Sequence, residues 1–301
     1  MIFPMAKITK NSPFHQKKLL PLHLVIHNMT TLEAIHKTIA PELELLNRQM
    51  SERLSTSNPL MDKVVTAQLS SKGKQIRPMI VILCSKLVGD ANSNTIAAAA
   101  SVELLHNATL IHDDVVDDSK TRRNKPTINS IWDNHIAVLV GDYFVSCAMQ
   151  QAISTGDIRI IDSLCHLGKL LSLGEIDQIY NARYHTLTEE TYYNIIGNKT
   201  ASLFVACAKM GCYAAGVADE RVDALAEFAR LLGLCFQIRD DVFDYFGSDS
   251  IGKPTSNDLK EGKITLPLLH TLLREDLPDH SAMLELSRKE ILDDNDIATL
   301  I

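Results

Sequence analysis

The sequence lacks the features of several large protein classes. None of its apolar runs reaches the roughly 18 residues that a membrane span needs. The net charge is −7, which argues against a nucleic-acid partner held by bulk electrostatic attraction. No run of alternating β-branched residues is bounded by turn signals, and nothing repeats at the period of a solenoid. What remains is an ordinary globular composition, 46% hydrophobic and 22% charged over 301 residues.

A C-x-x-C motif is also absent, although the chain contains six cysteines. All of them lie within apolar runs, namely Cys84, Cys147, Cys165, Cys207, Cys212 and Cys235. Cysteines in such surroundings are typical of reduced thiols that serve as small core residues. We therefore predict a cytoplasmic protein whose cysteines stay reduced.

Common nucleotide-binding and hydrolase motifs are missing as well. The chain contains no G-x-G-x-x-G, no H-E-x-x-H and no G-x-S-x-G. Residues 247–253 match the first seven positions of a P-loop, but Pro254 stands where Ser or Thr would reach Mg²⁺. The segment also follows a predicted helix rather than a strand, so we exclude a nucleotide site there.

Residues 1–28 differ from the remainder because they contain no Asp or Glu and four lysines. A transit peptide would be rich in arginine, which this stretch lacks, and no signal-peptide cleavage pattern is present. Thr30 and Glu33 then form a capping box that predicts the start of a helix. We interpret residues 1–28 as a disordered or loosely packed leader, or as a mis-assigned start with Met29 as the true one.

Apolar residues at helical spacing predict an all-α fold, a single bundle of helices with the most hydrophobic ones at its centre. Polar loops are predicted at 118–127 and 247–262. The predicted helices cover residues 31–55, with an interruption near Pro41, and 58–70, 77–88, 95–117, 128–134, 136–154, 157–182, 188–215, 219–246, 264–275 and 281–292.

The most informative stretch lies at the end of the apolar helix predicted over 95–117. Asp113, Asp114 and Asp117 stand there with two arginines close behind. At i and i+4, Asp113 and Asp117 share one helix face. Like charges at this spacing destabilise a helix by a few tenths of a kcal/mol, so a bound cation is expected. Mg²⁺ suits the site because it takes one or two carboxylates and shares its other positions with water and phosphate.

A second acidic motif repeats this spacing at the end of another long apolar helix, with Asp240, Asp241 and Asp244. One D-D-x-x-D is a modest signal, because acidic helix ends are common. The alternative interpretation is two solvated helix ends, but a solvated face would not lie on the apolar side of two buried helices. We therefore predict two acidic patches that face each other across a metal site.

Basic side chains occur where an anion could be shared with such metal ions. A loop-to-helix junction that carries Lys and Arg is well suited to hold a diphosphate. A lone lysine within an otherwise apolar helix needs a reason to be there. Each of these residues alone is typical of a solvated surface charge, but together they predict two bound diphosphates. They are Lys74, Arg77, Arg122, Arg123, Lys199, Lys253 and Lys263.

These motifs, in this order, resemble those of the trans-type isoprenyl diphosphate synthases, also called polyprenyl synthetases, and among them the medium- and long-chain members. The resemblance covers residues 58–275. It includes G-K-Q-I-R-P (73–78), L-L-H-N-A-T-L-I-H-D-D-V-V-D (104–117), T-R-R (121–123), G-D (141–142), N-K-T-A-S-L-F (198–204) and F-Q-I-R-D-D-V-F-D (236–244). It implies a helical bundle of the isoprenoid synthase type with a deep central cavity. Family members continue for further helices, so we expect the domain at 29–301 to be cut short at its C-terminus.

The resemblance implies a chain-elongating prenyltransferase. An allylic diphosphate, such as farnesyl or geranyl diphosphate, would ionise, and the double bond of isopentenyl diphosphate would attack the resulting cation. Loss of a proton would then complete the extension by one isoprene unit. Up to three Mg²⁺ ions would assist the departure of diphosphate. The released diphosphate would accept the proton, so no dedicated protein base is expected.

Carried over to the matching positions, the resemblance assigns roles to individual residues. The metal ligands would be Asp113, Asp114, Asp117, Asp240, Asp241 and Asp244, with Asp241 acting more through hydrogen bonds. Arg122, Lys199 and Lys253 would hold the allylic diphosphate, with Lys263 as a further substrate-binding residue. Isopentenyl diphosphate would be held by Lys74, Arg77, His106 and Arg123. Thr200 and Gln237 would direct dipoles at the developing carbocation. His106 alone is more typical of a core histidine, but it lies on the same helix face as Asp113.

Product length is predicted from the same helix. Residues four and five before Asp113 lie roughly 6–8 Å down the helix axis, along the growing tail. The resemblance implies that bulky aromatic residues close the cavity there in short-chain members. Thr109 and Ala108 are small, and the deeper Leu105 and Val102 are not aromatic. We therefore predict a deep apolar tunnel and a product longer than farnesyl or geranylgeranyl diphosphate.

Three alternative functions stay open at this point. A class I terpene cyclase also uses D-D-x-x-D on an all-α fold, but it would not need Lys74, Arg77 and Arg123 for a second diphosphate. A non-catalytic partner subunit would typically lose one or both Asp motifs. A helical scaffold would have no need for so many ordered motifs. The resemblance further implies a homodimer. Because the product would be strongly apolar, transient contact with membranes is also expected.

Overall fold

The computed structural model describes residues 31–70, 73–122, 125–184, 188–245, 257–260, 262–289 and 292–300. The predicted leader, Met29 and Thr30 lie outside the described residues, as does most of the loop predicted at 247–262. The chain divides into a first unit that ends at Ala40 and a second unit that begins at Pro41. The described part of the first unit consists mainly of one short helix, α1 (Thr31–Thr38).

The second unit contains the remaining helices, and the predicted all-α fold is confirmed. Most predicted helices begin and end within a few residues of the observed ones, because apolar spacing is a local property. A π-helical segment, Gly197–Ala201, joins two of them. The helices are α2 (Ala40–Leu54), α3 (Pro59–Ser70), α4 (Ile76–Val88), α5 (Ser93–Val116), α6 (Ile128–Ile131), α7 (Asn134–Ser154), α8 (Ile158–Tyr184), α9 (Glu189–Ile196), α10 (Ser202–Ala214), α11 (Glu220–Tyr245), α12 (Asn257–Lys260), α13 (Leu266–Leu272), α14 (His280–Leu286) and α15 (Asp294–Leu300).

Two local predictions were wrong. The segment predicted as a loop at 118–127 contains a short antiparallel ladder, in which β1 (Thr121–Arg122) pairs with β2 (Lys125–Pro126). The single helix predicted over 188–215 is divided into α9, the π segment and α10. π-Helical turns are rare, and they occur mostly as bulges near functional sites. Apolar residues keep their helical spacing on both sides of the π segment. The sequence pattern therefore predicted one uninterrupted helix there.

Helices α5 and α10 form the centre of the second unit. The side chain of Asn92 caps the start of α5 by accepting hydrogen bonds from the amides of Asn94 and Thr95. The alanine-rich start of α5 is buried from Ala97 to Ala100, and such small side chains allow neighbouring helices to approach closely. α5 packs along α7, while α10 contacts α4, α5, α8 and α11. The two helices that carry the Asp motifs, α5 and α11, are therefore held by a common partner, α10.

Helix α7 is long enough and apolar enough to cross a membrane, judged by length and composition alone. The sequence predicted no such segment. In its most apolar window 44% of the residues are buried, and the helix packs along α5. The core helix of a globular protein has the same length and composition.

The C-terminal helices pack against the end of α11. Tyr245, the last residue of α11, forms a buried cluster with Leu259, Leu268, Ile297 and Leu300. Because the second Asp motif lies in the last turns of α11, this cluster brings the segment that follows α12 next to that motif.

Candidate active site

The first Asp motif occupies the last turn of α5. Asp117 is the C-cap residue, and its amide donates to the carbonyl of Asp113 over 2.8 Å. Asp113 and Asp117 therefore share a helix face, as their spacing predicts. The next residue, Asp118, has a left-handed backbone with φ of 46°. Its side chain is 73% exposed and pairs with Lys120, so the chain reversal removes this carboxylate from the motif.

Asp114 points in a different direction and forms an ion pair with Arg122. The Nε atom of Arg122 lies 2.7 Å from Oδ1 of Asp114. The side chain of Asn129 also donates to the Asp114 carbonyl over 3.1 Å. Burial raises the pKa of Asp114, and Arg122 opposes that rise. The pair ties the end of α5 to β1 and lines a pocket beside α6.

The second Asp motif is organised by a chain of hydrogen bonds around Asp241, which is buried. The hydroxyl of Thr200 donates to Oε1 of Gln237 over 2.7 Å. Nε2 of Gln237 then donates to Oδ1 of Asp241 over 2.7 Å. The Tyr192 hydroxyl donates to the other oxygen of Asp241 over 2.5 Å. Burial raises the pKa of Asp241, while the bonds from Tyr192 and Gln237 lower it.

The two other aspartates of this motif have different surroundings. Asp240 is more than a third exposed and lies 3.0 Å from the guanidinium of its neighbour Arg239. Asp244 accepts a hydrogen bond over 3.0 Å from the backbone amide of Asp258. Asp241 is thus held by side chains, whereas Asp240 stays accessible. The role of Asp241 through hydrogen bonds, rather than as a metal ligand, stays a prediction.

The second motif lines a pocket between α8, α9, the π segment and α11, and the first motif lies beside that pocket. Asp241, Gln237, Thr200 and Lys199 line it, together with Lys263 from the segment after α12. The ammonium group of Lys263 lies 3.4 Å from Oδ1 of Asp117. Lys263 therefore links the first motif to the pocket that the second motif lines. Asp117 of the first motif is thereby placed beside that pocket, whereas Asp114 lines a different one.

Asp113 lies within the same electrostatic neighbourhood. Burial raises its pKa to about 6. The positive charge of Lys199 opposes that rise, and the negative charges of Glu175 and Asp117 add to it. Lys199 therefore acts on the first motif while it lines the pocket with the second.

The π segment is packed between α8 and α11 through two glycines. A Cβ atom on Gly174 of α8 would lie 2.9 Å from the backbone nitrogen of Lys199. A Cβ on Gly233 of α11 would lie 2.7 Å from the Cα of Ala201. Real Cβ atoms essentially never come this close to backbone. Only glycine allows both helices to approach the segment, and this close packing positions Lys199 and Thr200 at the pocket.

The structure describes three of the four residues predicted to bind isopentenyl diphosphate. Lys74 is exposed in the loop before α4, and Arg77 is half-buried in the first turn of α4. His106 is buried on α5. Arg77 and Glu103 both act electrostatically on the buried thiol of Cys207, which places Arg77 where α4 meets α5 and α10. Two further predicted residues, Arg123 and Lys253, lie outside the described residues.

The predicted chain-length residues lie on α5 below the first motif. Ala108 and Val102 are fully buried, and Leu105 is nearly so. Thr109 is half-buried, and its hydroxyl donates to the carbonyl of His106 over 2.9 Å. The part of α5 that precedes the first Asp motif therefore lies in the interior of the bundle.

Three polar residues near the pocket were missed by sequence reasoning. Glu175 forms an ion pair with Lys199, and the side chain of Gln178 accepts from the same ammonium over 3.1 Å. Tyr192 holds Asp241. For Glu175 a signal existed, because a carboxylate on the inner face of α8 needs a partner as much as Lys199 does. Nothing in the sequence marks Tyr192, because its role depends on a residue in α11.

The donor set of the pocket fits Mg²⁺. Among the described residues, no three His, Cys, Asp or Glu side chains are grouped closely enough to hold a metal ion by themselves. Mg²⁺ does not need such a group, because it commonly uses one or two carboxylates and completes its shell with water and phosphate. Asp113 and Asp117 supply hard oxygen donors on one helix face, next to the lysines that would hold a phosphate.

An all-α bundle that brings two lysines, a threonine, a glutamine and one aspartate motif to a pocket, with a second aspartate motif beside it, has the features of a prenyltransferase site of the isoprenoid synthase type. The family model described as Polyprenyl synthetase matches residues 58–301. The chain belongs to the polyprenyl synthetase family. It is an enzyme that elongates prenyl diphosphates, and the predicted family and activity are confirmed.

Known relatives agree with this assignment. The octaprenyl diphosphate synthase of Escherichia coli (strain K12) is 37% identical over 242 residues, which cover 80% of this chain and 75% of that one. The crystal structure of a decaprenyl diphosphate synthase from Rhodobacter capsulatus superposes with a TM-score of 0.83 at 34% identity, covering 89% of this chain and 83% of that one. A polyprenyl synthase from Caulobacter crescentus CB15, complexed with calcium and isoprenyl diphosphate, gives a TM-score of 0.83 at 30% identity and covers 90% and 83%.

Proposed function

We propose that this enzyme condenses isopentenyl diphosphate with an allylic diphosphate, such as farnesyl or geranyl diphosphate, into a polyprenyl diphosphate longer than C20. The observation that carries the proposal is the pocket that Asp241, Lys199 and Lys263 line together, with Asp117 of the first motif 3.4 Å from the Lys263 ammonium. The names of the octaprenyl and decaprenyl relatives support the product length. The Caulobacter structure, which contains isoprenyl diphosphate, supports the substrate class.

Magnesium is the proposed cofactor, with up to three ions. When bound, it supplies positive charge that neutralises the departing diphosphate. Asp113, Asp114 and Asp117 would hold it from the end of α5, and Asp240 and Asp244 from the end of α11. The buried Asp241 keeps Gln237 oriented through its hydrogen bond rather than meeting the metal directly.

The cationic residues hold the two diphosphates. Lys199, Lys263 and Arg122 would bind the allylic diphosphate, together with Lys253. Their charges stabilise the negative charge that develops on the leaving group. Lys74, Arg77, His106 and Arg123 would bind isopentenyl diphosphate on the α4 side.

The carbocation forms beside Thr200 and Gln237. The hydroxyl of Thr200 and the amide of Gln237 are fixed by the bonds that run from Thr200 to Asp241. Fixed dipoles stabilise a developing charge without reorganising at the moment of reaction. The new carbon–carbon bond forms from the double bond of isopentenyl diphosphate, and the released diphosphate takes the proton that restores an alkene.

Product length can be tested at Ala108, which is fully buried one turn below Asp113. In the variant Ala108→Phe, the aromatic ring is expected to block the path of the growing tail and to shorten the main product by several isoprene units. Overpacking of a buried site typically costs about 1–3 kcal/mol, so folding should be checked by thermal denaturation. Ala108→Val, with a smaller side chain, should shift the product less. A product distribution that stays the same on chromatography in the Phe variant would reject a tail path along α5.

We also propose that the enzyme works as a cytoplasmic homodimer. Large apolar side chains are exposed along two neighbouring helices, among them Leu139 and Ile153 on α7 and Ile158 and Ile176 on α8. Each is at least 60% exposed, and exposed apolar surface of this kind is typical of an interaction surface. Sedimentation equilibrium measures the oligomeric state directly, and a monomer at micromolar concentration would contradict the proposal. Contact with membranes would then be transient and limited to release of the apolar product.

The deciding experiment is an incubation of purified protein with farnesyl diphosphate, isopentenyl diphosphate and Mg²⁺, followed by sizing of the products. The proposal predicts prenyl diphosphates that lengthen with time, and it predicts that EDTA stops the reaction until Mg²⁺ is restored. A terpene cyclase would instead release hydrocarbon without consuming isopentenyl diphosphate. A non-catalytic subunit would give no turnover by itself, and either of these results would refute the proposed function.

A further inference from the structure

The ion pair between Lys199 and Glu175 places an acidic group where a diphosphate is expected to bind. Lys199 projects from the π segment, and Glu175 lies opposite it on α8. Their side chains are only 29% and 17% exposed. Gln178, one turn further along α8, accepts a second hydrogen bond from the same ammonium over 3.1 Å. Lys199 therefore has partners on α8 before any substrate arrives.

The same arrangement holds for the other cations near the Asp motifs. Among the described residues, Lys263 pairs with Asp117 and Arg122 pairs with Asp114. Those two carboxylates belong to the first Asp motif, so bound magnesium could release both cations. Glu175 is not part of either motif, and its partner Lys199 belongs to a segment against which α8 and α11 pack closely. Glu175 is thus a carboxylate beside this pocket that the metal-binding motifs do not explain.

The backbone around Lys199 limits how the pair can separate. Gly174 lets α8 come so close to the π segment that a Cβ there would reach the backbone nitrogen of Lys199. The segment has no room to move toward α8. Only the flexible four-carbon side chain of the lysine can exchange one partner for another. Because Gln178 is neutral and close by, it can keep one hydrogen bond to the ammonium during that exchange.

We propose that Glu175 competes with diphosphate for Lys199 and thereby sets how readily diphosphate leaves the pocket. This inference rests on the proposed function, because it takes Lys199 as a diphosphate ligand. Every round of elongation produces one diphosphate, which must leave before the next substrate can bind. Departure from a half-buried ammonium is unfavourable when the charge is left unpaired. Glu175 takes over the ammonium as diphosphate leaves, and so it acts as a positioning residue that lowers product affinity.

The test is the binding of inorganic pyrophosphate with Mg²⁺, measured by isothermal titration calorimetry without turnover. In Glu175→Gln the side chain keeps its size and loses its charge, so pyrophosphate is expected to bind about tenfold more tightly, within the range of coupling found for close charge pairs. In steady-state assays kcat and the KM for the allylic diphosphate should fall together, because product release becomes slower. Asp177→Asn is the matched control: Asp177 lies on the exposed face of α8 two residues away, and its replacement should leave pyrophosphate affinity unchanged.

A second pair of variants shows whether the effect of Glu175→Gln acts through Lys199, and thermal denaturation of each variant checks that it is folded. In a Lys199→Met background, the further change Glu175→Gln should have no effect on pyrophosphate affinity, because the competing pair is already lost. Equal or weaker pyrophosphate binding by Glu175→Gln in the wild-type background would overturn the inference while leaving the proposed function intact. Failure of the wild-type enzyme to bind pyrophosphate at all would overturn both.

Discussion

Replacing Asp113 by Asn is expected to lower kcat/KM for the condensation by about a thousandfold, at the upper end of what removal of one electrostatic group at an active site produces. Asp113 lies at the end of α5, where burial raises its pKa to about 6 and where it faces the charge of Lys199. The change keeps the shape of the side chain but removes the negative charge that a magnesium ion requires. Steady-state assays at saturating Mg²⁺ measure the loss, and circular dichroism checks that the helices are retained.

The matched control for this variant is Asp118→Asn. Asp118 belongs to the same run of carboxylates, but its side chain is 73% exposed and pairs with Lys120. Its left-handed backbone, with φ of 46°, is one that Asn adopts readily. We expect full activity from this variant. If Asp113→Asn kept more than about a tenth of the wild-type activity, the proposed role of Asp113 in metal binding would be wrong.

The second large effect is expected at Gly174. Replacing it by Ala would bring a Cβ atom to within 2.9 Å of the backbone nitrogen of Lys199 and 3.2 Å of its Cα. Because backbone atoms cannot move aside as a flexible side chain can, the π segment must shift away from α8. We expect a loss of stability of about 1–3 kcal/mol, as for other overpacked sites. A shift of even 1 Å at a catalytic group can reduce the rate by about a hundredfold, so activity should fall further than stability alone explains.

Gly168 provides a control on the same helix. A Cβ added to Gly168 would have no neighbour within 4 Å. Gly168→Ala should therefore raise the stability by about 0.5–1 kcal/mol, since Ala is the better helix former. Urea denaturation curves compare the two variants directly, and kcat/KM completes the comparison. If Gly174→Ala were as stable and as active as Gly168→Ala, the close packing of the π segment would have no functional consequence.

The two glycines also show a limit of sequence reasoning. Gly174 and Gly233 lie inside predicted apolar helices, where an isolated glycine only weakens a helix prediction. Their importance depends on what each faces, which is the π segment, and that segment was itself predicted as ordinary helix. Neither the bulge nor its neighbours could be recognised from spacing, because both depend on the approach of α8 and α11 from distant parts of the chain.

The pairing of Asp114 is a similar case. As the residue next to Asp113, Asp114 lies about 100° around the helix from it and forms its ion pair with Arg122 there. The identity of its partner was not predicted, although Arg122 is only eight residues away. The chain reverses at Asp118 and forms the β1–β2 ladder, and this turn returns Arg122 to the end of α5. Because residues 118–127 were predicted as a plain loop, the contact between Arg122 and Asp114 was not predicted.

By itself the sequence determined the helical class of the fold, the positions of most helices and the two acidic motifs with their shared faces. These properties depend on residues within about two turns of one another, and the helical period of 3.6 residues makes them readable. Only the tertiary structure decided that Lys263 links the first motif to the pocket lined by the second, that Lys199 pairs with Glu175 and that Tyr192 holds Asp241. Those contacts join α5, α8, α9 and α11, and their geometry follows from how the whole bundle packs around α10.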